Sequence, residues 1–299
     1  MSLPEGCGNT STAQNVCTDE AAPVTEWPAA GAPCRTVLVL DSPSLEGFRA
    51  LVAPLQARML GWDDLLAAAR TALPSTIILL EPLQEGRAEP DPRVRDLIAT
   101  APMLPVVALL AFRRTATVQT LMEWGVSEVA DPLFEGGATA ILPLLHRVHA
   151  APFKRRVEAA LPGFLSLNAL TLVRAAAATT VDHGSAVELA ALFESSERTV
   201  AGWCAREGLP APRRLMAWMR AILAVALLEE PHRSVVNASR AAGYAADHPL
   251  RRSLRELLPA RAGSPPREVR FDEVMAGFNA ELRDLRDVAR KLRLRQHTA

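Results

Sequence analysis

Between residues 35 and 150, short apolar runs alternate with segments whose apolar residues recur at helical spacing. Each run is followed by turn or polar residues, as buried parallel strands usually are. The runs lie at Thr36–Leu40, Thr76–Leu80, Pro105–Leu110 and Ser127–Ala130, with a weaker one near Ala57–Leu60. Helices are predicted between them at 44–56, 63–72, 92–100, 115–124 and 137–149. This alternation predicts a doubly wound α/β domain with a parallel sheet over residues 34–150.

After residue 151 the strand pattern stops and the apolar positions follow a helical period. Helices are predicted at 154–160, 166–177, 185–192, 196–206, 211–229, 234–241, 247–257 and 271–294. We divide this half into a helical linker, an all-helical domain and a C-terminal amphipathic helix, at 151–181, 182–270 and 271–299. Residues 1–33, rich in Gly, Ser, Thr, Pro and Ala and without hydrophobic periodicity, are predicted to be a flexible tail.

The last predicted helix carries one broad apolar face among acidic and arginine residues. The face consists of Phe271, Val274, Phe278, Leu282, Leu285, Val288 and Leu292. An amphipathic helix of this kind packs on a partner helix. Two interpretations are open: the helix docks on its own chain, or it joins two copies of the chain.

Charge is distributed unevenly along a chain whose formal net charge is zero. Residues 1–33 hold four acidic residues and no Lys or Arg, whereas residues 182–270 hold thirteen Arg and ten acidic residues, a net of +3. The only lysines are Lys154 and Lys291. The planar fork of Arg suits phosphate and guanine recognition, so the helical domain has the side chains that a DNA partner needs.

The four cysteines, Cys7, Cys17, Cys34 and Cys204, form no CxxC pair and no Cys/His cluster with metal spacing. The chain starts with no basic-then-apolar signal segment, and no apolar run is long enough to span a membrane. We therefore expect a cytoplasmic protein without metal, cofactor or membrane attachment.

A helix-turn-helix pattern covers Val187–Glu207. Apolar residues at helical spacing run from Val187 to Phe193, Glu194-Ser-Ser196 interrupts them, and Ser196 is a good N-cap for a helix that ends at Gly208. The predicted buried positions are Leu189, Ala190, Val200 and one of Trp203 or Cys204. The predicted exposed positions include Arg198, Thr199 and Arg206. Trp203 and Trp218 are both predicted to be core aromatic residues.

A second such pattern follows at Ser234–Arg255. A helix closed by Gly243 and Tyr244 precedes one that starts at Asp247, with Leu250 and Leu254 facing inward. The exposed side of this second helix offers His248, Arg251, Arg252 and Arg255. A long apolar helix, Pro212–Leu228, separates the two patterns.

Two helix-turn-helix units in this order resemble the DNA-binding domain of the AraC family of transcription regulators. The closing segment Gly263-Ser-Pro-Pro-Arg-Glu-Val-Arg270 is also similar to the family's Gly-x-Ser-Pro signature. The other matching residues are Leu189, Ala190, Ser196, Gly208, Leu209, Arg220, Ala224, Leu227, Leu228, Ser234, Val235, Ala238, Gly243, Tyr244, Leu250, Arg252 and Leu254. The resemblance implies two recognition helices in successive major-groove segments on one face of DNA.

The chain departs from the AraC pattern at three places. Gly202 stands in mid-helix where family members often carry a basic residue, Pro249 lies in the first turn of the second recognition helix, and the Leu258–Ala262 stretch lengthens the closing segment. Glycine in a helix interior costs about 1 kcal/mol relative to Ala, whereas Pro is tolerated in a first turn. The departures bear on the base contacts rather than on the fold.

Residues 35–150 resemble a response-regulator receiver in element order, with most of its phosphorylation chemistry replaced. Asp41 follows the first strand, but Ser42 stands where a second acid is expected. Glu81 takes the place of the phosphoacceptor Asp after the third strand, Ala111 that of the Thr or Ser after the fourth, and Asp131 that of the Lys after the fifth. Metal-assisted phosphoryl transfer needs these groups to neutralise charge.

These replacements favour a pseudo-receiver that binds a protein partner. An unrelated doubly wound domain that binds a small ligand at its strand ends, and a working phosphoacceptor, are the other interpretations. The whole sequence predicts a homodimeric, sequence-specific regulator that binds double-stranded DNA and has no enzymatic activity. The alternative is a protein-interaction adaptor whose helix-turn-helix units no longer bind DNA.

Overall fold

The N-terminal half contains a five-stranded parallel sheet. The computed structural model describes residues 36–41, 57–83, 87, 89–110, 114–131 and 138–297, with no side-chain description for 138–142 and 289–297. The strands are β1 Val37–Leu40, β2 Arg58–Leu60, β3 Ile77–Leu80, β4 Val106–Leu109 and β5 Glu128–Ala130. Their order is β2-β1-β3-β4-β5, and every pairing is parallel. This is a doubly wound order, as the sequence predicted, and the weak strand near Ala57–Leu60 is confirmed.

Helices cover both faces of this sheet, which is why β1, β3 and β4 are apolar at every position. Leu38 and Leu40 belong to the core on one face and Val37 and Val39 to the core on the other. The helices are α1 Trp62–Thr71, α2 Pro92–Thr100, α3 Thr115–Trp124 and α4 Ala138–Val148. The predicted helix 44–56 and the predicted tail 1–33 lie outside the described residues.

The C-terminal half is helical throughout its described residues, apart from turns. Its helices are α5 Ala151–Ala160, α6 Leu167–Val181, α7 Ala186–Ala191, α8 Glu197–Glu207, α9 Pro212–Leu228, α10 Val235–Ala241, α11 Asp247–Leu257 and α12 Phe271–His297, with 3-10 turns at Pro259–Arg261 and Pro266–Glu268. Each predicted helix is present, and α6 runs four residues beyond its predicted end at 177.

Helix α9 forms the centre of this half, since every residue from Ala221 to Leu228 is buried. A helix that is apolar all round has to be surrounded by other elements. Helices α6, α7, α8, α10, α11 and α12 all contact it. The two helices of the segment predicted as a linker, α5 and α6, contribute residues to the same core.

Helix α12 docks on its own chain over its first half. Phe271, Val274, Phe278 and Leu282 are buried in the core around α9. The Trp218 indole N–H donates to Glu281 over 2.7 Å. The idea that Phe278 and Leu282 offer a surface to a second copy is therefore wrong, because their own chain covers them. Val288 is 54% exposed, and the Leu292 side chain lies outside the description.

A buried ion pair joins the two halves. Glu230 and Arg233, in the loop between α9 and α10, are 3% and 2% exposed and bind each other. The Arg233 guanidinium also donates to the carbonyl of Ala72, at the end of α1, over 2.9 Å. The backbone amide of Met103 lies against the Glu230 carboxylate, and the Met103 side chain packs into the helical core. Burial raises the pKa of the Glu230 carboxyl, and Arg233 opposes that rise.

Replacing Arg233 with Met should destabilise the protein strongly, because it leaves the Glu230 carboxylate buried without its cation. Breaking one side of a buried pair costs about 3–5 kcal/mol. Urea unfolding at neutral pH measures the change. The matched control is Arg174→Met, which breaks the exposed pair with Glu158 and should cost less than about 1 kcal/mol. Equal losses of stability in Arg233→Met and Arg174→Met would contradict the conclusion that the buried pair joins the two halves.

Candidate nucleic-acid interface

The helix pairs α7–α8 and α10–α11 share one turn geometry. After α7, the Ser195 N–H donates to the Ala190 carbonyl over 3.1 Å; after α10, the Tyr244 N–H donates to the Ser239 carbonyl over 2.9 Å. Both bonds span five residues, the hallmark of a Schellman helix end. The preceding residue is left-handed in each case, Glu194 with φ 50° and Gly243 with φ 83°. The two pairs therefore share the same helix-end geometry.

Local capping fixes where these helices begin and end. Ser185 and Glu188 form a capping box at the start of α7. The Ser196 hydroxyl accepts from the Thr199 N–H over 3.2 Å, which confirms the predicted N-cap of α8. Gly208, with φ 69°, ends α8 in the left-handed conformation, as predicted. The close approach of the Arg286 backbone to this glycine also places α12 beside α8.

Helix α8 packs one side against the core and exposes the other. Leu189, Ala190, Val200 and Cys204 are buried, so Cys204 rather than Trp203 fills the inward position. Burial raises the pKa of the Cys204 thiol to about 11, which keeps it protonated and unreactive at neutral pH. On the exposed side lie Arg198, Thr199, Arg206 and the departure from the family pattern, Gly202.

Helix α11 has the same two-sided character. Leu250 and Leu254 are buried, as predicted. The four candidate residues are all exposed: His248, Arg251, Arg252 and Arg255. Arg251 pairs with Asp247 and Arg252 with Glu256 along the helix surface, at 2.9 and 2.8 Å. Exposed pairs of this type are worth about 0.3–0.5 kcal/mol, so both guanidinium groups can change partner at little cost.

A small polar link fixes one helix pair against the other. Arg220, on α9, donates to the carbonyl of Gly184, just before α7, over 2.8 Å. Its guanidinium also lies beside Gly243 in the turn of the second pair. The His183 ring lies 3.1 Å from the Ala241 carbonyl, which connects the same two places directly. The two exposed arginine faces are thus carried on one rigid support.

The described residues of the predicted degenerate receiver site lie at the carboxyl edge of the sheet. Asp41 follows β1 and Glu81 follows β3, and the pairing of Val39 with Leu79 sets these two acids at the same level on neighbouring strands. Asp131 follows β5 and is buried. Ala111 lies outside the described residues. Within the described ranges, no group of three or more His, Cys, Asp or Glu side chains is arranged to hold a metal ion.

The sequence did not predict two features of this half, a cavity between α6 and α8 and the Glu230–Arg233 joint. Trp203 is only partly buried, which corrects its prediction as a core residue, and it lines a cavity of about 290 Å³ between α6 and α8. The prediction for Trp218 is confirmed, since it is fully buried. The Glu230–Arg233 joint was also missed, although a run of charged residues at the end of an apolar helix is a signal for such a pair.

Comparisons with known proteins add little to this geometry. No protein-family model and no curated protein matches the chain. Among solved structures, the chain has a weak similarity to RcsB from Salmonella enterica serovar Typhimurium, described as bound to the promoter rprA in the presence of the phosphomimetic BeF3-. The identity is 16%, the match covers 62% of this chain and 98% of that one, and the TM-score is 0.27. This likeness is too slight to assign a fold, a family or a function. None of the described helices combines the length and apolar character that crossing a membrane requires.

The equivalence of the two turns predicts opposite effects for two substitutions. A left-handed conformation costs a non-glycine residue about 1–2 kcal/mol, so Glu194→Gly should stabilise the protein by up to about 1 kcal/mol after the greater entropy of an unfolded glycine is counted. Gly243→Ala should destabilise it by about 1 kcal/mol or more. Thermal and urea unfolding of both variants provide the measurement. A loss of stability in Glu194→Gly would contradict the shared turn.

Proposed function

We propose that this chain is a sequence-specific DNA-binding transcription regulator of the AraC type. The observation that carries the proposal is the pair of equivalent helix-turn-helix units, each exposing arginines on its second helix and both held on one central helix. The rigid link through Arg220 supports it, because two recognition helices must keep a fixed separation to enter successive grooves of one DNA face.

Helices α8 and α11 act as the recognition helices. Arg198 and Arg255 make no hydrogen bond or ion pair with any residue that the structure describes, so both guanidinium groups are available to a ligand. Arg binds the O6 and N7 atoms of guanine with two parallel hydrogen bonds, which suits base reading in the major groove. The remaining contacts, to bases or phosphates, come from Thr199, Arg206, His248, Arg251 and Arg252.

The α/β domain acts as a pseudo-receiver that responds to a protein partner rather than to phosphorylation. An anion, Asp131, takes the place of the cation that would attract a phosphoryl group. The domain touches the loop that leads into α10, through Arg233 and the Ala72 carbonyl. A partner that shifts the α/β domain would therefore act directly on the loop that leads into the second proposed DNA-binding unit.

The regulator works as a homodimer in the cytoplasm and has no enzymatic activity. Pairing two DNA-binding modules converts the second binding event into an intramolecular one, which raises overall affinity without new contacts. The α/β domain, rather than the buried first half of α12, is the proposed dimer contact.

One observation favours the second candidate, a protein-interaction adaptor without DNA binding. Gly202 leaves a gap in the exposed face of α8 between Arg198 and Arg206, and the net charge of residues 182–270 is only +3. Measuring whether DNA binding depends on these arginines separates the two candidates.

Removing the arginines of both recognition helices should abolish preference for a DNA duplex selected from a random-sequence pool. Each lost base contact costs about 1–3 kcal/mol, measured as Kd by fluorescence anisotropy at fixed salt. The variant carries Ala at Arg198, Arg206, Arg251 and Arg255. The matched control, which removes equal charge elsewhere, carries Ala at Arg95, Arg147, Arg155 and Arg174 and should keep the preference. Equal affinity of the two variants for the selected duplex would rule out α8 and α11 as recognition helices.

A gain-of-function change tests the same face from the opposite direction. A Cβ added at Gly202 meets no atom within 4 Å, and the position is exposed, so a Lys has open space there. Gly202→Lys should tighten DNA binding and steepen the salt dependence by about one counterion. The readout is the slope of log K against log salt concentration. An unchanged slope would mean that this face does not approach DNA.

Acetyl phosphate with Mg²⁺ should not modify the α/β domain. Glu81 replaces the acceptor Asp, and Asp131 replaces the cation that would neutralise the transferred phosphoryl group. Intact-mass analysis after incubation should show no added phosphate. A stoichiometric, base-labile gain of one phosphate on Glu81 or a neighbouring acid would overturn the pseudo-receiver assignment.

A further inference from the structure

The cavity between α6 and α8 has a mixed lining that the DNA-binding role does not require. Helix α6 contributes Asn168, Thr171 and Leu172, and α8 contributes Trp203, Arg206 and Glu207. Phe193, in the turn between α7 and α8, closes one side. A concave site with an apolar wall and a few converging polar groups is the usual form of a small-molecule site.

The apolar wall is suited to an aromatic ring. Phe193 and Trp203 meet edge to face, with ring centroids 5.8 Å apart and an interplanar angle of 88°. Leu172, almost fully buried, completes this wall. A dry cavity of about 150 Å³ holds a benzene molecule, so the volume of about 290 Å³ accommodates a ring with a short side chain.

The polar groups select an anionic side chain. Glu207 accepts a hydrogen bond from the Ser166 hydroxyl, the N-cap of α6, so its charge already faces a helix N-terminus. The Thr171 hydroxyl donates to the Leu167 carbonyl over 2.9 Å, which leaves it only as an acceptor. Among the lining residues, the Arg206 guanidinium and the Asn168 amide carry several N–H donors each, and a carboxylate is the group that both can bind.

We propose that this cavity binds a small aromatic carboxylate, with the ring against Phe193 and Trp203 and the carboxylate on Arg206 and Asn168. The regulatory consequence rests on the proposed function: Arg206 is a proposed DNA contact, so an occupant that engages it competes with DNA. Because coupling between two ligands is reciprocal, DNA would weaken binding of the carboxylate by the same factor.

The direct test uses 3-phenylpropanoate and the full chain without DNA, by isothermal titration calorimetry. The proposal expects saturable binding of one molecule per chain. The neutral analogue 3-phenylpropanol should bind at least about tenfold more weakly, because it forfeits the charge-assisted contact with Arg206. Absence of saturable binding would overturn the proposal, and equal binding of the alcohol would overturn the carboxylate assignment.

Variants locate the site. Arg206→Gln, an exposed change that leaves the fold intact, should weaken 3-phenylpropanoate binding at least about tenfold, and Trp203→Leu should weaken it through the lost ring contact. The matched control is Arg240→Gln. Arg240 is also exposed and lies in the last turn of its helix, α10, but it does not line the cavity. If Arg206→Gln binds 3-phenylpropanoate as tightly as the parent protein, the site is not this cavity. The same conclusion follows if Arg240→Gln loses as much affinity as Arg206→Gln.

A final experiment measures binding of the selected DNA duplex in the presence of each compound. Saturating 3-phenylpropanoate should lower the affinity for DNA, whereas 3-phenylpropanol at the same concentration should not. Probe binding without any DNA binding would refute the proposed function and leave the cavity assignment standing. DNA binding without probe binding would refute the cavity alone, and independent binding of both would refute the competition.

Discussion

The complete burial of α9 is the constraint on which the helical half depends. Eight consecutive residues, Ala221–Leu228, are covered on all sides, so the helices around them have to be present together for any of them to be stable. Leu and Met to Ala changes in such a core cost about 2–5 kcal/mol, a large share of the total stability of a protein. The same helix carries Arg220, which ties the helix pairs α7–α8 and α10–α11 to each other.

In this arrangement, opposite sides of α8 and α11 have different roles. The inward faces of α8 and α11 are specified by packing, through Val200, Cys204, Leu250 and Leu254, and their outward faces carry the exposed arginines. Outward residues can change at little cost to the fold, because the packed side of each helix stays the same. The joint at Glu230 and Arg233 adds the α/β domain to this support.

How much the sequence could predict follows from the range of the interactions involved. The strand positions, the N-cap at Ser196 and the helix end at Gly208 follow from short apolar runs or from neighbouring residues, and they are confirmed. The contact of Arg233 with Ala72, 161 residues apart, depends on how two domains dock, which no local pattern encodes. For the same reason the sequence left open whether α12 docks on its own chain or on a second copy, and it did not predict that Trp203 is only partly buried. Amphipathicity says that a face is covered but not by what.

Hydroxyl-radical footprinting on a duplex selected from random sequences tests the central claim most directly, because it reports where both units lie on DNA at once. If α8 and α11 are recognition helices on one rigid support, each protein molecule should protect two segments on one face of the duplex. Their centres should be about one helical turn, roughly 10–10.5 base pairs, apart. A single protected segment per molecule, or uniform protection without a selected sequence, would contradict the account.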